Sequence, residues 1–179
     1  MKKVIALVLG LAVALCLSAC GDDYSLVSKE SKGNSPEEVA AICVESWFEH
    51  DFESMLETYP KFRLRYRAVS FGESTDADVK TVAIAMSEYF ESPGREVKIL
   101  STNLIDQYEV KDYSMFDEIK QNNEYITTED FAEITQCATI RVDYEIIEQT
   151  GNNSVLNSEI KCIKMNEKWY VLSDGAFTN

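Results

Sequence analysis

Ile134-Thr135-Gln136-Cys137-Ala138-Thr139-Ile140-Arg141-Val142-Asp143-Tyr144-Glu145-Ile146-Ile147 alternates with period two. Ile134, Ala138, Ile140, Val142, Tyr144 and Ile146 share one parity, while Arg141, Asp143 and Glu145 share the other. Successive side chains of a strand point to opposite sides, so this pattern predicts a strand with one buried face. Thr150-Gly151-Asn152-Asn153 is a turn signal, and Leu156 to Met165 predicts the returning strand. Asn166-Glu167 turns the chain again, and Lys168 to Leu172 is the last strand. Upstream, Val97 to Val110 predicts one long strand or a bent hairpin, and Tyr113 to Asn122 a short inserted helix with Met115, Phe116 and Ile119 inward.

Helical periodicity dominates the preceding stretch. Ser35-Pro36-Glu37-Glu38 is a helix start, with Ser35 as cap, proline at the first helical position and Glu38 closing a capping box. Val39, Ile42, Cys43, Ser46 and Trp47 follow at 3–4 spacing, with Phe48 beside them. His50-Asp51 reads as a turn, and Asp51 caps a second short helix bearing Phe52, Met55, Leu56 and Tyr59, ended by Pro60. Lys61 to Phe71 shows no clear period. Thr75-Asp76 is the expected cap of a third helix, whose stripe is Val79, Val82, Ala83, Met86 and Phe90 and whose stop is Ser92-Pro93-Gly94. Three helices followed by a meander imply an α+β fold, with the helices on one face of a curved antiparallel sheet of four to five strands.

The N-terminus carries a different message. Lys2 and Lys3 precede an apolar run from Val4, which ends in Leu17-Ser18-Ala19-Cys20. This resembles the lipobox of bacterial lipoprotein precursors. The resemblance implies cleavage before Cys20 and a diacylglycerol on its thiol, placing the protein on the extracytoplasmic face of the bacterial cell membrane. Residues 1–19 would be the signal, 20–34 a tether and 35–179 one globular domain. Two rivals stand beside this expectation. A permanent membrane helix needs ~20 apolar residues, and the run is shorter. A plain secretory signal would leave a free cysteine at the mature N-terminus. Residues 21–34 are rich in Ser, Gly and charge without periodicity, so they predict a flexible tether reaching roughly 20 Å.

The chain has 17 basic and 31 acidic residues. The first 19 residues hold two lysines and no acid, so the remainder carries 15 basic and 31 acidic side chains, a formal −16. Such a surface repels nucleic acid and anionic lipid alike. Beyond Cys20 lie Cys43, Cys137 and Cys162, an odd number that excludes a complete disulfide framework. Cys137 and Cys162 fall on opposite faces by alternation, so small buried hydrophobes are the simpler reading, with a disulfide between them as the alternative. No cysteine–histidine spacing suggests zinc, and no calcium-loop pattern is present, so neither metal nor cofactor is expected.

The layout resembles the nuclear-transport-factor-two-like superfamily, a cone-shaped α+β fold with a pocket between helices and sheet. The resembling parts are the helix from Ser35 to Phe48, the Glu49-His50-Asp51-Phe52-Glu53 break, and the closing strand Asn166-Glu167-Lys168-Trp169-Tyr170-Val171-Leu172. Lys111 to Phe131 is longer than a simple hairpin connection and departs from the pattern. A cystatin-like fold is the alternative. The resemblance implies a pocket that binds a small ligand or another envelope protein, or else hosts isomerase- or dehydratase-like chemistry. A structural accessory domain that forms a homodimer through its sheet is a third expectation.

No catalytic constellation is expected. His50 is the lone histidine, and it sits at a helix–helix turn. Seven helical residues separate it from Cys43 by about 10 Å, beyond hydrogen-bond reach. Tyr144 is expected in the core with its hydroxyl satisfied. Arg141, Asp143 and Glu145 are expected on a solvated face. The most unusual run is Lys61-Phe62-Arg63-Leu64-Arg65-Tyr66-Arg67, in which Lys61, Arg63, Arg65 and Arg67 are four of the 15 cations. These four form the candidate binding patch for an anionic partner. Internal neutralisation of the surplus acids is the alternative. On a strand they would line one face, whereas on a helix they would splay.

Overall fold

The computed structural model describes residues 34–117, 119, 126–148, 151 and 153–173. The signal segment, Cys20 and the tether, apart from Asn34, lie outside them. Four helices come first: α1 (Pro36–Glu49), α2 (Phe52–Glu57), α3 (Lys61–Ser70) and α4 (Val79–Tyr89). Four strands follow: β1 (Glu96–Glu109), β2 (Ile134–Ile147), β3 (Ser154–Met165) and β4 (Lys168–Ser173). The sheet is fully antiparallel, in the order β1-β2-β3-β4. This is an α+β fold with the helices grouped before an antiparallel sheet.

Local chemistry sets the helix ends. Ser35 Oγ accepts the Glu38 N–H, and the Glu38 carboxylate accepts the Asn34 N–H, a capping box shifted by one residue. Asp51 caps α2 through the Ser54 N–H. The α4 cap is Asp78, which accepts the Thr81 N–H at 2.8 Å, and not the expected Thr75-Asp76. Ser74 donates instead to Asp76, making a turn three residues ahead of the helix. Gly94 is needed for close approach, because a Cβ there would lie 2.1 Å from the Glu49 carbonyl oxygen. The chain is held there by the Arg95 N–H, which donates to Phe48 O at 2.7 Å.

The fourth helix, α3, replaces the stretch without clear period. Its sequence hides it, because the buried residues are Phe62, Arg63 and Ala68, which form no single apolar stripe. Long-range partners on two sides hold it, so its helicity comes from tertiary contact and not from amphipathicity.

Helix α1 lies against all four strands, and α2 bridges α1 to α4. Between α1 and the sheet is the first core. Val39, Ala40, Cys43 and Val44 of α1 meet Ala138, Ile140, Val142, Tyr144 and Ile146 of β2, Ile160 and Cys162 of β3, and Trp169 and Val171 of β4. Among the described residues, the opposite face of the sheet is covered at one end only. There Cys137, Ile134 and Ile163 pack beneath Phe62, Phe116, Ile126 and Phe131 in a second core. The segment after β1 therefore covers the sheet. Tyr113–Phe116 is a short 3₁₀ turn in which Phe116 is buried, while Met115 is 43% exposed and not inward as expected.

Two irregularities redistribute side chains. In the β2–β3 ladder Gln136 opposes Lys164, but Ile134 opposes Met165, leaving Thr135 as an extra residue. That bulge carries Ile134 to the face of Cys137, away from the Ala138–Ile146 parity predicted for it. In the β1–β2 ladder, Leu100 and Ile105 are the extra residues. The expected Val97–Val110 segment is thus a single strand, Glu96–Glu109, with two bulges and no hairpin within it.

Candidate functional site

The Lys61–Arg67 run opens α3 and splays its cations, as 100° per residue requires. Lys61 is exposed. Arg63 points inward and is 9% exposed. Its guanidinium stands 4.0 Å over the Tyr59 ring, and Nη1 donates to the Val171 carbonyl at 3.3 Å. The Val171 N–H in turn donates to Thr58 O at 2.9 Å, so the α2–α3 corner is stitched to β4. Arg65 reaches the other way. Its Nη2 contacts Asp130 Oδ2 at 2.5 Å, and that same oxygen accepts the Thr127 N–H and hydroxyl. Arg67 is half-buried. The four candidate patch residues therefore share one helix but face different neighbours.

What the run does build is one wall of a groove of about 420 Å³. Tyr59, Pro60, Lys61 and Phe62 form this wall, and Glu129, Asp130 and Glu133 form the opposite one. Met165, Asn166 and Tyr170 close the end. Asn166 is shaped by the β3–β4 turn, where it and Glu167 adopt positive φ of 49° and 65°. From that turn Asn166 Nδ2 donates to Glu133 Oε2 at 2.6 Å. Arg65 holds Asp130 and Asn166 holds Glu133, so two of the three acids are fixed by named hydrogen bonds. The site joins aromatic surface, a thioether, three carboxylates and one ammonium, a mixture suited to a ligand with an apolar body and polar edges.

Sequence reasoning singled out Lys61 but missed Tyr59, Glu129, Glu133, Asn166 and Tyr170 as its neighbours. Only the closing-strand turn carried a signal, and it marked a turn and not a site. A second concavity of about 110 Å³ lies beneath the 3₁₀ turn, between Met115, Phe116 and Ile119 above and Cys137, Thr139, Lys161 and Leu172 below.

The remaining candidates have structural surroundings. His50 ends α1 in a left-handed conformation, with its ring stacked 5.1 Å from Phe52 and tilted against Phe90 at 5.6 Å. Tyr144 is buried, and its hydroxyl is hydrogen-bonded with Ser158 at 3.1 Å. Cys43, Cys137 and Cys162 are buried, and among the described residues none is in a disulfide. Ala138 is paired with Cys162, and Cys137 with Ile163, which puts Cys137 and Cys162 on opposite faces. Burial pushes the Cys137 thiol up to about 11. Burial first, and then the neighbouring Cys43, push Cys162 up as well. Neither thiol is a thiolate near neutral pH.

On the open end of the outer face, Ser101 Oγ donates to Asp143 at 2.8 Å, and Arg141 Nε donates to it at 3.2 Å. The Ser101 hydrogen bond, followed by Arg141, holds the Asp143 carboxyl below its usual range. This is the solvated face expected from alternation. Among the described residues no helix is long and apolar enough to cross a membrane.

No protein-family model, curated protein or solved structure matches this chain. The geometry above therefore stands as the basis for assigning a role.

Proposed function

We propose that this chain is an extracytoplasmic lipoprotein of the bacterial cell membrane, anchored through a diacylglycerol on Cys20, whose domain binds a small ligand without catalysing a reaction. The groove between α3 and the Glu129–Glu133 segment carries the proposal. It has the size of a ligand site, and Arg65 and Asn166 fix two of the acids on its polar wall. Under this proposal Lys61 faces the ligand. Arg63 and Arg65 position the two walls and do not contact an anion themselves.

The order of helices and strands supports a likeness to the nuclear-transport-factor-two-like superfamily. In that fold the pocket lies between helices and sheet. Here that layer is occupied by Cys43, Met55, Ile140, Val142 and Tyr144, so the ligand site is proposed outside it. Non-catalytic binding is supported by the stacking of His50 on Phe52 and by thiols that burial keeps protonated. An envelope protein as the occupant is the second form of the same proposal, favoured by the groove's open, mixed-polarity walls.

Two experiments test these halves separately. Metabolic labelling with an alkyne fatty acid should mark the chain and fail on Cys20→Ser; equal labelling of both would end the anchoring proposal. A thermal-shift screen against metabolites, metals, lipids and envelope polymers should reveal a stabilising compound. At 100 times its dissociation constant a ligand contributes about 2.7 kcal/mol. The shift should vanish in Tyr170→Ala combined with Glu133→Gln. A hit that survives both substitutions places the site elsewhere, and a blank screen moves the proposal to a protein partner.

A further inference from the structure

We propose that β1 is a self-docking edge, along which two copies of this chain pair antiparallel with Thr102 on the two-fold axis and fuse their sheets into one. The inference rests on neither the groove nor the anchor.

β1 is 14 residues long and lies at the end of the strand order, so among the described residues it has a strand neighbour on one side only. Exposed edges offer unpaired N–H and C=O groups and are usually kept short, twisted or charged. This edge is long, and it carries Leu104, Ile105 and Tyr108 at 47%, 51% and 42% exposure. Burial of these side chains and pairing of the edge groups are what a partner strand supplies.

The strand itself selects the partner. With Thr102 opposite its own copy, Lys98 falls opposite Asp106, Leu100 opposite Leu104 and Ile99 opposite Ile105. By two-fold symmetry the Lys98–Asp106 pair occurs twice. The faces agree as well. Lys98 opposes Glu145 and Asp106 opposes Thr139 in the β2 ladder, which places both on the outer face. Thr102 opposes Val142, on the helix side, and pairs with its own copy there. The bulges at Leu100 and Ile105 flank Thr102, and this keeps the two halves of the strand in matching parity. Shifting the pairing by one residue sets Thr102 opposite Asn103, a helix-side residue against an outer one, which a sheet forbids. Centring on Asn103 keeps parity but opposes Lys98 to Tyr108 and Asp106 to Leu100, losing both ion pairs. Charge and parity together leave one register.

The test uses the full chain in detergent. Thr102→Cys places two thiols on the axis. Mild oxidation should give a covalent dimer well above that of the unsubstituted chain, and Glu159→Cys, exposed on β3, should not. No excess dimer, or as much from Glu159→Cys, overturns the proposal. Lys98→Glu and Asp106→Lys should each weaken association by about 2- to 30-fold, from two exposed ion pairs. Their combination should restore it. Failure of the combined variant to restore association overturns this register. Sedimentation of the unsubstituted chain should show a concentration-dependent dimer, and a monomer at every concentration overturns the proposal whatever the variants do.

Discussion

The two faces of the sheet are covered in different ways. On the helix side, α1 spans all four strands, and the buried residues of β2 recur at every second position from Ala138 to Ile146. On the other side a 3₁₀ turn and loop cover one end, and the buried residues come from six separate places in the chain. The first core is a layer built from two periodic elements. The second is assembled from aromatic rings of a 3₁₀ turn, a loop and α3, with Phe116 and Phe131 stacked at 4.8 Å and Phe62 tilted against Phe131 at 5.3 Å. The groove borders the second core, where cover ends and polar walls begin. The proposed ligand groove thus sits beside the less regular core.

Truncation in the two cores tests this contrast most strongly. Ile140→Ala, fully buried in the first core, should cost about 4 kcal/mol of unfolding free energy. Phe131→Ala should cost less despite its larger volume, about 3 kcal/mol, because a loop cover can close on the gap. Denaturant midpoints rank them, and a larger loss at Phe131 would reverse the hierarchy.

The two arginines come next. Arg63→Met removes a buried donor to Val171 O and a cation from the Tyr59 ring, and should cost about 2 kcal/mol. Arg65→Ala breaks an ion pair in which the arginine side chain is 34% exposed, so solvent and salt should limit the loss to about 1 kcal/mol. Denaturation at low and high salt should show salt dependence for the Arg65–Asp130 pair. Equal losses from the two would mean that Arg63 is less committed to the fold than its burial implies.

A further effect is expected at high pH. The Cys137 thiol is raised by burial to about 11, above its ordinary value of 9.0. The unfolded chain therefore loses this proton first. Stability is full below pH 9 and declines as pH rises towards 11. Cys137→Ala should flatten that limb of the stability–pH profile, and an unchanged limb would assign the decline to other groups. Least of all, Glu167→Gly should stabilise by about 0.5–1 kcal/mol. Asn166 and Glu167 both have positive φ, and Asn-Gly suits such a hairpin turn. Thermal melts decide it, and no gain would mean that the exposed Lys164–Glu167 pair offsets the strain.

Much of the scaffold was legible locally. Ser35 and Asp51 act as caps where the residue types predicted. β3, β4 and their two-residue turn lie where alternation put them. The extra helix, the Asp78 cap and the inward turn of Arg63 were not legible. The helix and the arginine depend on contacts across long sequence separation, such as the 108 residues between Arg63 and Val171, whereas the Asp78 cap is a local contact to Thr81, three residues on. The groove was legible only at Lys61, because its opposite wall begins 68 residues later, at Glu129.

Apart from α3 and the Tyr113–Phe116 turn, the order and type of the elements came from sequence alone. Period two and period 3.6 record which side of a segment is buried, and capping residues record where helices start. These are short-range properties that each segment carries without its neighbours. Folding settled which face of the sheet receives Ile134, which cations turn inward and where a groove opens. One extra residue at Thr135 exchanges the faces of a strand, and cross-strand pairing alone selects where that residue goes.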